Sequence, residues 1–179
     1  EKLFRRIEEI YQSPDKKKLT AEQQRLVWRY YINFTLAGAK LDSASKASVS
    51  STNQQLAKLF TRFNQNLLAD ESDEMLVLEN EADLAGLSTS FREAAADAAA
   101  KKYPGKWVVT NTRSSIDPFL SSSDRRDLRE KAWRMFINRG DNGNANDNNA
   151  IITEILQLRA QRAKLLGYLT HAHWRLVNS

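Results

Sequence analysis

Apolar side chains recur every three or four residues through most of the chain, and this spacing predicts helices. The longest run follows Asp42 or Ser43, either of which can cap a helix. Its apolar stripe comprises Leu56, Leu59, Phe60, Phe63 and Leu67. Only six glycines and three prolines occur in 179 residues, so few positions interrupt long regular elements. This favours helices over a barrel or sandwich of many short strands.

Two more helices are predicted before this one. The first has charged residues between the members of its apolar face and ends before Pro14. That face comprises Leu3, Ile7, Ile10 and Tyr11. The second begins at Thr20-Ala-Glu-Gln23, a capping box in which each end residue accepts a backbone N–H of the other. Its apolar period extends to about Lys40.

Capping residues also predict helices in the second half of the chain. Ser90-Phe-Arg-Glu93 is a capping box before the alanine-rich stretch REAAADAAAKK, which favours a helix. Pro118 and Ser121–Ser123 are expected to start the next helix. Its inward residues are predicted to be Leu128, Ala132, Met135 and Phe136.

A long final helix is expected to begin at Asp147 or Asn148, each able to cap it through a side-chain oxygen. Gly167 stands where a helix ends in a left-handed glycine, and Thr170 can start one more short helix.

Two short segments are predicted to be strands. Glu74–Leu78 is an apolar run bounded by acids, and Trp107–Thr110 is aromatic and β-branched. They can pair, with the alanine-rich helix as their connection. The predicted fold is therefore mainly α: one multi-helix lobe over residues 1–179, with a small two-stranded element around 74–78 and 106–111.

The stretch NRGDNGNANDNN, residues 138–149, has the Asp, Asn and Gly density of a turn or a calcium loop. An EF-hand loop needs oxygen-bearing side chains at positions 1, 3 and 5, Gly at 6 and Glu at 12. Starting at Asp141 places Gly143 at position 3. Starting at Asn142 places Asp147 at position 6 and Thr153 at position 12. No register fits, so the stretch is predicted to connect two helices.

Other candidate sites are also weak. His171 and His173 would point about 200° apart on a helix, so they cannot chelate one ion from a single face. No His-Glu-x-x-His, Gly-x-Ser-x-Gly or glycine-rich phosphate loop occurs. The serines of 121–123 are interpreted as a helix cap. A carboxylate cluster, Asp70, Glu71, Asp73 and Glu74, is interpreted as a solvated turn.

Composition narrows the function further. The absence of cysteine excludes disulfides and thiolate chemistry. The net charge of +5 is mild, and basic residues alternate with acids, so nucleic acid is not an expected partner. No apolar run approaches the roughly 18–20 residues needed to span a bilayer, so a membrane is not an expected partner either. The one basic block, Lys16–Lys18, is interpreted as a solvated loop. The four tryptophans, Trp28, Trp107, Trp133 and Trp174, are interpreted as core residues, with peptide contact as the alternative.

Several stretches, in order, resemble one family. They are FNQNLLAD, EADLAGLS, DPFL, DRRDLREKAW, NRGDNGNANDN and LRAQRAKLLGYLTHAHW, between residues 63 and 174. Together they resemble the zinc metallopeptidases of the thimet oligopeptidase family, with the bacterial peptidyl-dipeptidase branch the most similar and the oligopeptidase A branch nearby. Ser88 departs from this pattern, because the family often has Pro there, but Ser can also cap a helix.

The resemblance implies a parent protein with two helical lobes around a deep channel and one zinc ion held by a His-Glu-x-x-His helix. It implies cleavage of short peptides, with release of C-terminal dipeptides. The zinc motif does not occur here, so no catalytic, cofactor-binding or metal-binding residue is assigned. This segment is expected to wall the channel beside a missing catalytic lobe and to be inactive alone. A cytoplasmic location is expected, with the periplasm as the alternative. The competing hypothesis is a free-standing helical module that binds peptides or proteins.

Overall fold

A computed structural model describes residues 2–178, and within this range the chain is mainly helical. The α-helices there are α1 (Lys2–Gln12), α2 (Ala21–Leu36), α3 (Ser43–Asp73), α4 (Thr89–Ala99), α5 (Arg113–Ser122), α6 (Arg126–Ile137), α7 (Asn149–Leu165) and α8 (His171–Arg175). Two short 3₁₀-helices are Pro14–Lys18 and Glu81–Leu84, and the strands are β1 (Met75–Leu78) and β2 (Trp107–Thr110). The prediction of a mainly α fold with one two-stranded element is confirmed.

The described chain divides into two compact units. Unit 1 contains the residues up to Leu59 and those from Ile152 onward, and unit 2 contains Phe60–Ile151. The divisions fall within α3 and α7. That the whole of 1–179 acts as one lobe stays a prediction.

In unit 1, aromatic rings join α1 to α2. Phe4 is buried, and its ring centroid lies 6.1 Å from that of Tyr31 and 5.9 Å from that of Phe34. The rings of Tyr11 and Tyr31 stack with their centroids 4.0 Å apart. These contacts bury Phe4, which supplies the packing that a helix of eleven residues needs for stability in water. Leu3 and Ile10 of the predicted apolar face are exposed, so the prediction is wrong for these two residues.

Both ends of α2 have a clear local cause. The predicted capping box is present, with Thr20 and Gln23 each accepting a backbone N–H of the other. The helix ends at Leu36 and not near Lys40, because Gly38 adopts a left-handed φ of +90°. The backbone N–H groups of Gly38 and Ala39 then close a Schellman motif, donating to Thr35 and Phe34.

The start of α3 resolves one alternative. Asp42 caps the helix, since its Oδ1 accepts the backbone N–H of Ser45 at 2.8 Å. Hydrogen bonds from Ser45 are the largest influence that lowers the pKa of Asp42.

In unit 2, the sheet and the helices beside it enclose the core. β1 and β2 are antiparallel, with Met75 opposite Thr110 and Leu78 opposite Trp107. α4 connects the two strands and packs against β2, as predicted. The buried core cluster comprises Leu78, Leu84, Leu87, Val109, Ile116, Phe119, Leu128 and Ala132.

Two helix starts differ from the sequence prediction. α4 begins two residues earlier than expected, because its cap is Ser88, whose hydroxyl accepts the N–H of Phe91, and not Ser90. The hydroxyl of Ser90 instead lies 3.2 Å from that of Ser88. The family that the sequence resembles often has Pro at this position, and here Ser88 caps α4 in its place.

The helix α5 was not predicted. Pro118 lies inside it and does not precede the next helix, and Ser121 and Ser122 are its last residues. Pro118 has no N–H for the helix ladder, but the buried side chains of Ile116 and Phe119 hold α5 against the core. Of the serines interpreted as a cap, Ser123 accepts the N–H of Arg125 at the junction with α6.

Candidate functional site

The segment 138–148, here called the connector, joins α6 to α7. Asp147 caps α7, since its Oδ1 accepts the backbone N–H of Asn149 at 2.8 Å. Asn148, the alternative cap, uses its side chain elsewhere. The connector is therefore a helix–helix connection, as predicted, but its polar side chains do more than turn the chain.

The connector wraps around one carboxylate, that of Asp70 on α3. Asp70 is only 1% exposed. Its Oδ2 accepts the backbone N–H of Gly140 at 2.7 Å and the side-chain amide of Asn142 at 2.9 Å. Its Oδ1 accepts the amide of Asn146 at 3.0 Å. Three residues of the connector, Gly140, Asn142 and Asn146, thus supply neutral donors to a buried anion, the arrangement that a buried carboxylate needs.

These donors control the charge of Asp70. Burial is the largest single influence on its pKa and raises it, because a low-dielectric site disfavours the anion. The hydrogen bonds from Gly140, Asn146 and Asn142 together outweigh burial, so the pKa of Asp70 is lowered below its ordinary value. Asp70 is therefore an ionised structural group at neutral pH and not a proton donor.

Asn148 forms a second tie between the connector and α3. Its Oδ1 accepts from Asn66 at 2.9 Å, and its Nδ2 donates to the backbone oxygen of Phe63 at 3.2 Å. Its backbone N–H donates to Gly140 at 2.7 Å. Gly140 has a φ of +73°, and a Cβ there would lie 2.7 Å from Asn148 Nδ2. This position therefore requires glycine for both conformation and space.

An ion pair completes the cluster. Arg139 donates to Glu71, and its guanidinium lies 4.1 Å from the ring centroid of Phe136. The interpretation of Asp70, Glu71, Asp73 and Glu74 as a solvated turn is therefore wrong for the first two residues. Asp73 and Glu74 are exposed. The sequence pattern could not reveal these contacts, because the groups that donate to Asp70 and Glu71 lie about seventy residues further along the chain.

The two histidines have separate roles. His173 Nδ1 lies 2.7 Å from the hydroxyl of Thr170, which also accepts the N–H of His173 and so caps α8. The ring of His171 packs against Trp174 with centroids 5.4 Å apart. Burial, then the charges of nearby arginines, lowers the pKa of His171.

The remaining candidates are the tryptophans and the lysine block. Trp107 packs against the unit 2 core, but Trp133 is 47% exposed, so the core interpretation is wrong for Trp133. Lys16–Lys18 belongs to an exposed 3₁₀-helix, where Lys18 pairs with Asp15 at 2.7 Å.

A zinc ion would need three or more suitable ligands in one place. Residues 2–178 contain no such group of His, Asp or Glu side chains. The residues present do not fit a zinc site, and no chemical step is assigned to them. In the same range, no helix has the length and apolar composition needed to cross a membrane.

Comparison with known proteins relates the chain to peptidases. Residues 119–179 match the family described as Peptidase family M3. The chain is 36% identical over 177 residues to dipeptidyl carboxypeptidase of Escherichia coli, covering 98% of this chain and 26% of that protein. It is 33% identical over 178 residues to organellar oligopeptidase A of Arabidopsis thaliana, covering 95% of this chain and 22% of that protein.

Oligopeptidase A of Haemophilus influenzae is 30% identical over 159 residues, covering 87% of this chain and 23% of that protein. These matches confirm the resemblance to this metallopeptidase family and to both of its branches named above. The chain spans about a quarter of the length of the curated relatives it matches.

Proposed function

We propose that this chain is a non-catalytic segment of a zinc metallopeptidase that releases dipeptides from the C-terminus of short peptides. The similarity to dipeptidyl carboxypeptidase over 98% of the chain carries the proposal. In this role the segment walls the substrate channel, and the zinc and its ligands come from the rest of the parent protein. We place the parent in the cytoplasm, with the periplasm as the alternative.

Two features of the described chain support an indirect role in catalysis. In the polar cluster around Asp70, the hydrogen bonds of the carboxylate all go to residues of the connector, and they hold the connector against α3. Several large apolar side chains are exposed, among them Leu68, Leu156, Leu169 and Leu176. A contiguous patch of such side chains would mark a surface that another part of the parent protein covers.

The first experiment is to read the natural reading frame beyond Ser179. We expect a His-Glu-x-x-His motif followed by a glutamate ligand. A frame that stopped near Ser179 would contradict the proposal and favour the free-standing helical module.

The second experiment compares the parent protein with the 179-residue chain. The parent is expected to bind zinc and to release dipeptides from N-blocked short peptides, with activity lost on chelation and restored by zinc. The 179-residue chain is expected to show neither stoichiometric zinc nor peptide hydrolysis. Release of internal fragments in place of dipeptides would assign the parent to the oligopeptidase branch, and activity of the 179-residue chain would contradict its non-catalytic role.

A further inference from the structure

The connector contains an asparagine followed directly by a glycine, Asn142-Gly143. Both residues are exposed, and residues 142–144 belong to no helix or strand. A Cβ at Gly143 would meet no atom within 4 Å. Within residues 2–178, the backbone N–H of Gly143 donates no hydrogen bond. The backbone nitrogen that follows Asn142 is therefore accessible and is not held in a regular element.

An asparagine side chain and the next backbone nitrogen can react to form a five-membered ring. The nitrogen of Gly143 loses its proton and attacks Cγ of Asn142, while the bond from Cγ to Nδ2 breaks and ammonia leaves with that proton. One water molecule then opens the succinimide ring and leaves either an aspartate or an isoaspartate at position 142. Glycine favours the attack, because it has no Cβ to hinder the approach and its backbone reaches more conformations.

The side chain of Asn142 is one of the donors that hold the connector. Its Nδ2 donates to Oδ2 of the buried Asp70 at 2.9 Å, and the same oxygen accepts the backbone N–H of Gly140 at 2.7 Å. Either product of the reaction replaces this donor with a carboxylate. Two carboxylates at hydrogen-bond distance repel each other, and burial of one of them strengthens the repulsion. The reaction would therefore turn a stabilising contact into a repulsive one.

We propose that Asn142-Gly143 is a site of spontaneous deamidation, and that the new carboxylate releases the connector from Asp70. A chemical change at an exposed residue thereby reaches a buried group of unit 2 and limits the lifetime of its folded state. The hydrogen bond to Asp70 restrains the amide of Asn142, so the folded chain reacts more slowly than an unfolded one. The inference does not depend on the proposed peptidase function.

The first test follows the reaction in the folded chain at neutral pH. Samples taken over time are digested with trypsin, and mass spectrometry of the peptide 140–159 locates each conversion of an amide to an acid, with a zero-time sample as the baseline. Asn144, which is also exposed in the connector and precedes Ala145, is the internal control. We expect Asn142 to react at least about tenfold faster, because the Cβ of Ala145 hinders the same attack. Equal rates at the two asparagines, or conversion of Asn142 in urea but not in the folded chain, would overturn the proposal.

The second test measures what the new charge does to folding, by urea denaturation of matched variants. Asn142→Asp has the aspartate product, and Asn142→Ala loses the same hydrogen bond without adding a charge. We expect the folding equilibrium constant of Asn142→Asp to be at least about tenfold below that of Asn142→Ala. Asn64→Asp adds the same charge at an exposed position of α3 and should change the constant by less than about threefold.

The comparison with Asn142→Ala also covers a product that cannot fold. If Asn142→Asp is unfolded by circular dichroism while Asn142→Ala is folded, the repulsion is supported. Equal losses in the two variants would overturn it, because the lost hydrogen bond would then account for the whole effect. An Asn142→Asp chain as stable as the wild type would overturn it as well.

Discussion

The Oδ2 atom of Asp70 lies 2.7 Å from the backbone nitrogen of Gly140, seventy residues further along the chain. A carboxylate near the end of one helix thereby fixes the first turn of the connector between two others. Because Asp70 is 1% exposed, this contact is shielded from water and contributes more than a surface hydrogen bond of the same length.

Replacing Asp70 with Asn should destabilise unit 2. The variant removes the negative charge and turns an amide N–H₂ toward donors from Gly140, Asn142 and Asn146. We expect a loss of about 2–4 kcal/mol in the free energy of unfolding, measured by urea denaturation. Asp73→Asn, an exposed carboxylate at the end of the same helix, is the control and should change stability by less than about 0.5 kcal/mol. Equal effects of the two variants would contradict the structural role of Asp70.

The contribution of Asp70 should depend on pH in the acid range. Its pKa is lower in the folded chain than the ordinary value of 3.8, so below that value the unfolded state binds the proton more readily. Its stabilising effect is therefore complete above about pH 5 and is lost as pH falls through the folded pKa.

Urea midpoints of the wild type and Asp70→Asn should converge as the pH falls below 3.8. Asp42 and Asp127 also have lowered pKa values, but both proteins contain them, so the difference isolates Asp70. A difference that stayed constant down to about pH 2 would show that folding does not lower the pKa of Asp70.

Two glycines with the same φ of +82° should respond differently to alanine. A Cβ at Gly86 would overlap the backbone oxygen of Ser122 and lie 2.8 Å from the nitrogen of Asp124. A Cβ at Gly105 would meet no atom within 4 Å. We expect Gly105→Ala to cost about 1–2 kcal/mol, the conformational term alone, and Gly86→Ala about 1–3 kcal/mol more. Thermal unfolding of both variants measures this difference. Similar costs would mean that the backbone near Ser122 shifts to accommodate the methyl group.

A serine pair tests where α4 begins. Ser88→Ala removes the hydroxyl that accepts the N–H of Phe91, and we expect a loss of about 1 kcal/mol. Ser90→Ala removes a hydroxyl that contacts only Ser88 among the hydrogen bonds described and should cost less than about 0.5 kcal/mol. The reverse order, read from urea midpoints, would restore the cap originally predicted at Ser90.

The helices and strands were predictable where a local signal decides them. The capping box at Thr20, the left-handed glycine at Gly167 and the residue composition of β1 and β2 are short-range patterns, and each has the predicted structure. The α5 helix was not, since Pro118 opposes it locally and its burial against the unit 2 core stabilises it.

The polar cluster could not be predicted for a related reason. Asp70 sits among other acids in the sequence, where a solvated turn is the usual structure. Its donors belong to a connector whose composition also suits an ordinary turn. Only the fold brings the two together.

The distance in sequence between Asp70 and the connector also has a consequence for synthesis. A ribosome adds about 5–20 residues per second, so Asp70 leaves it roughly 4–15 seconds before its last donor, Asn146. During that interval the nascent chain carries an unshielded charge at the end of α3. Unit 2 can therefore complete its fold only after the connector has been translated.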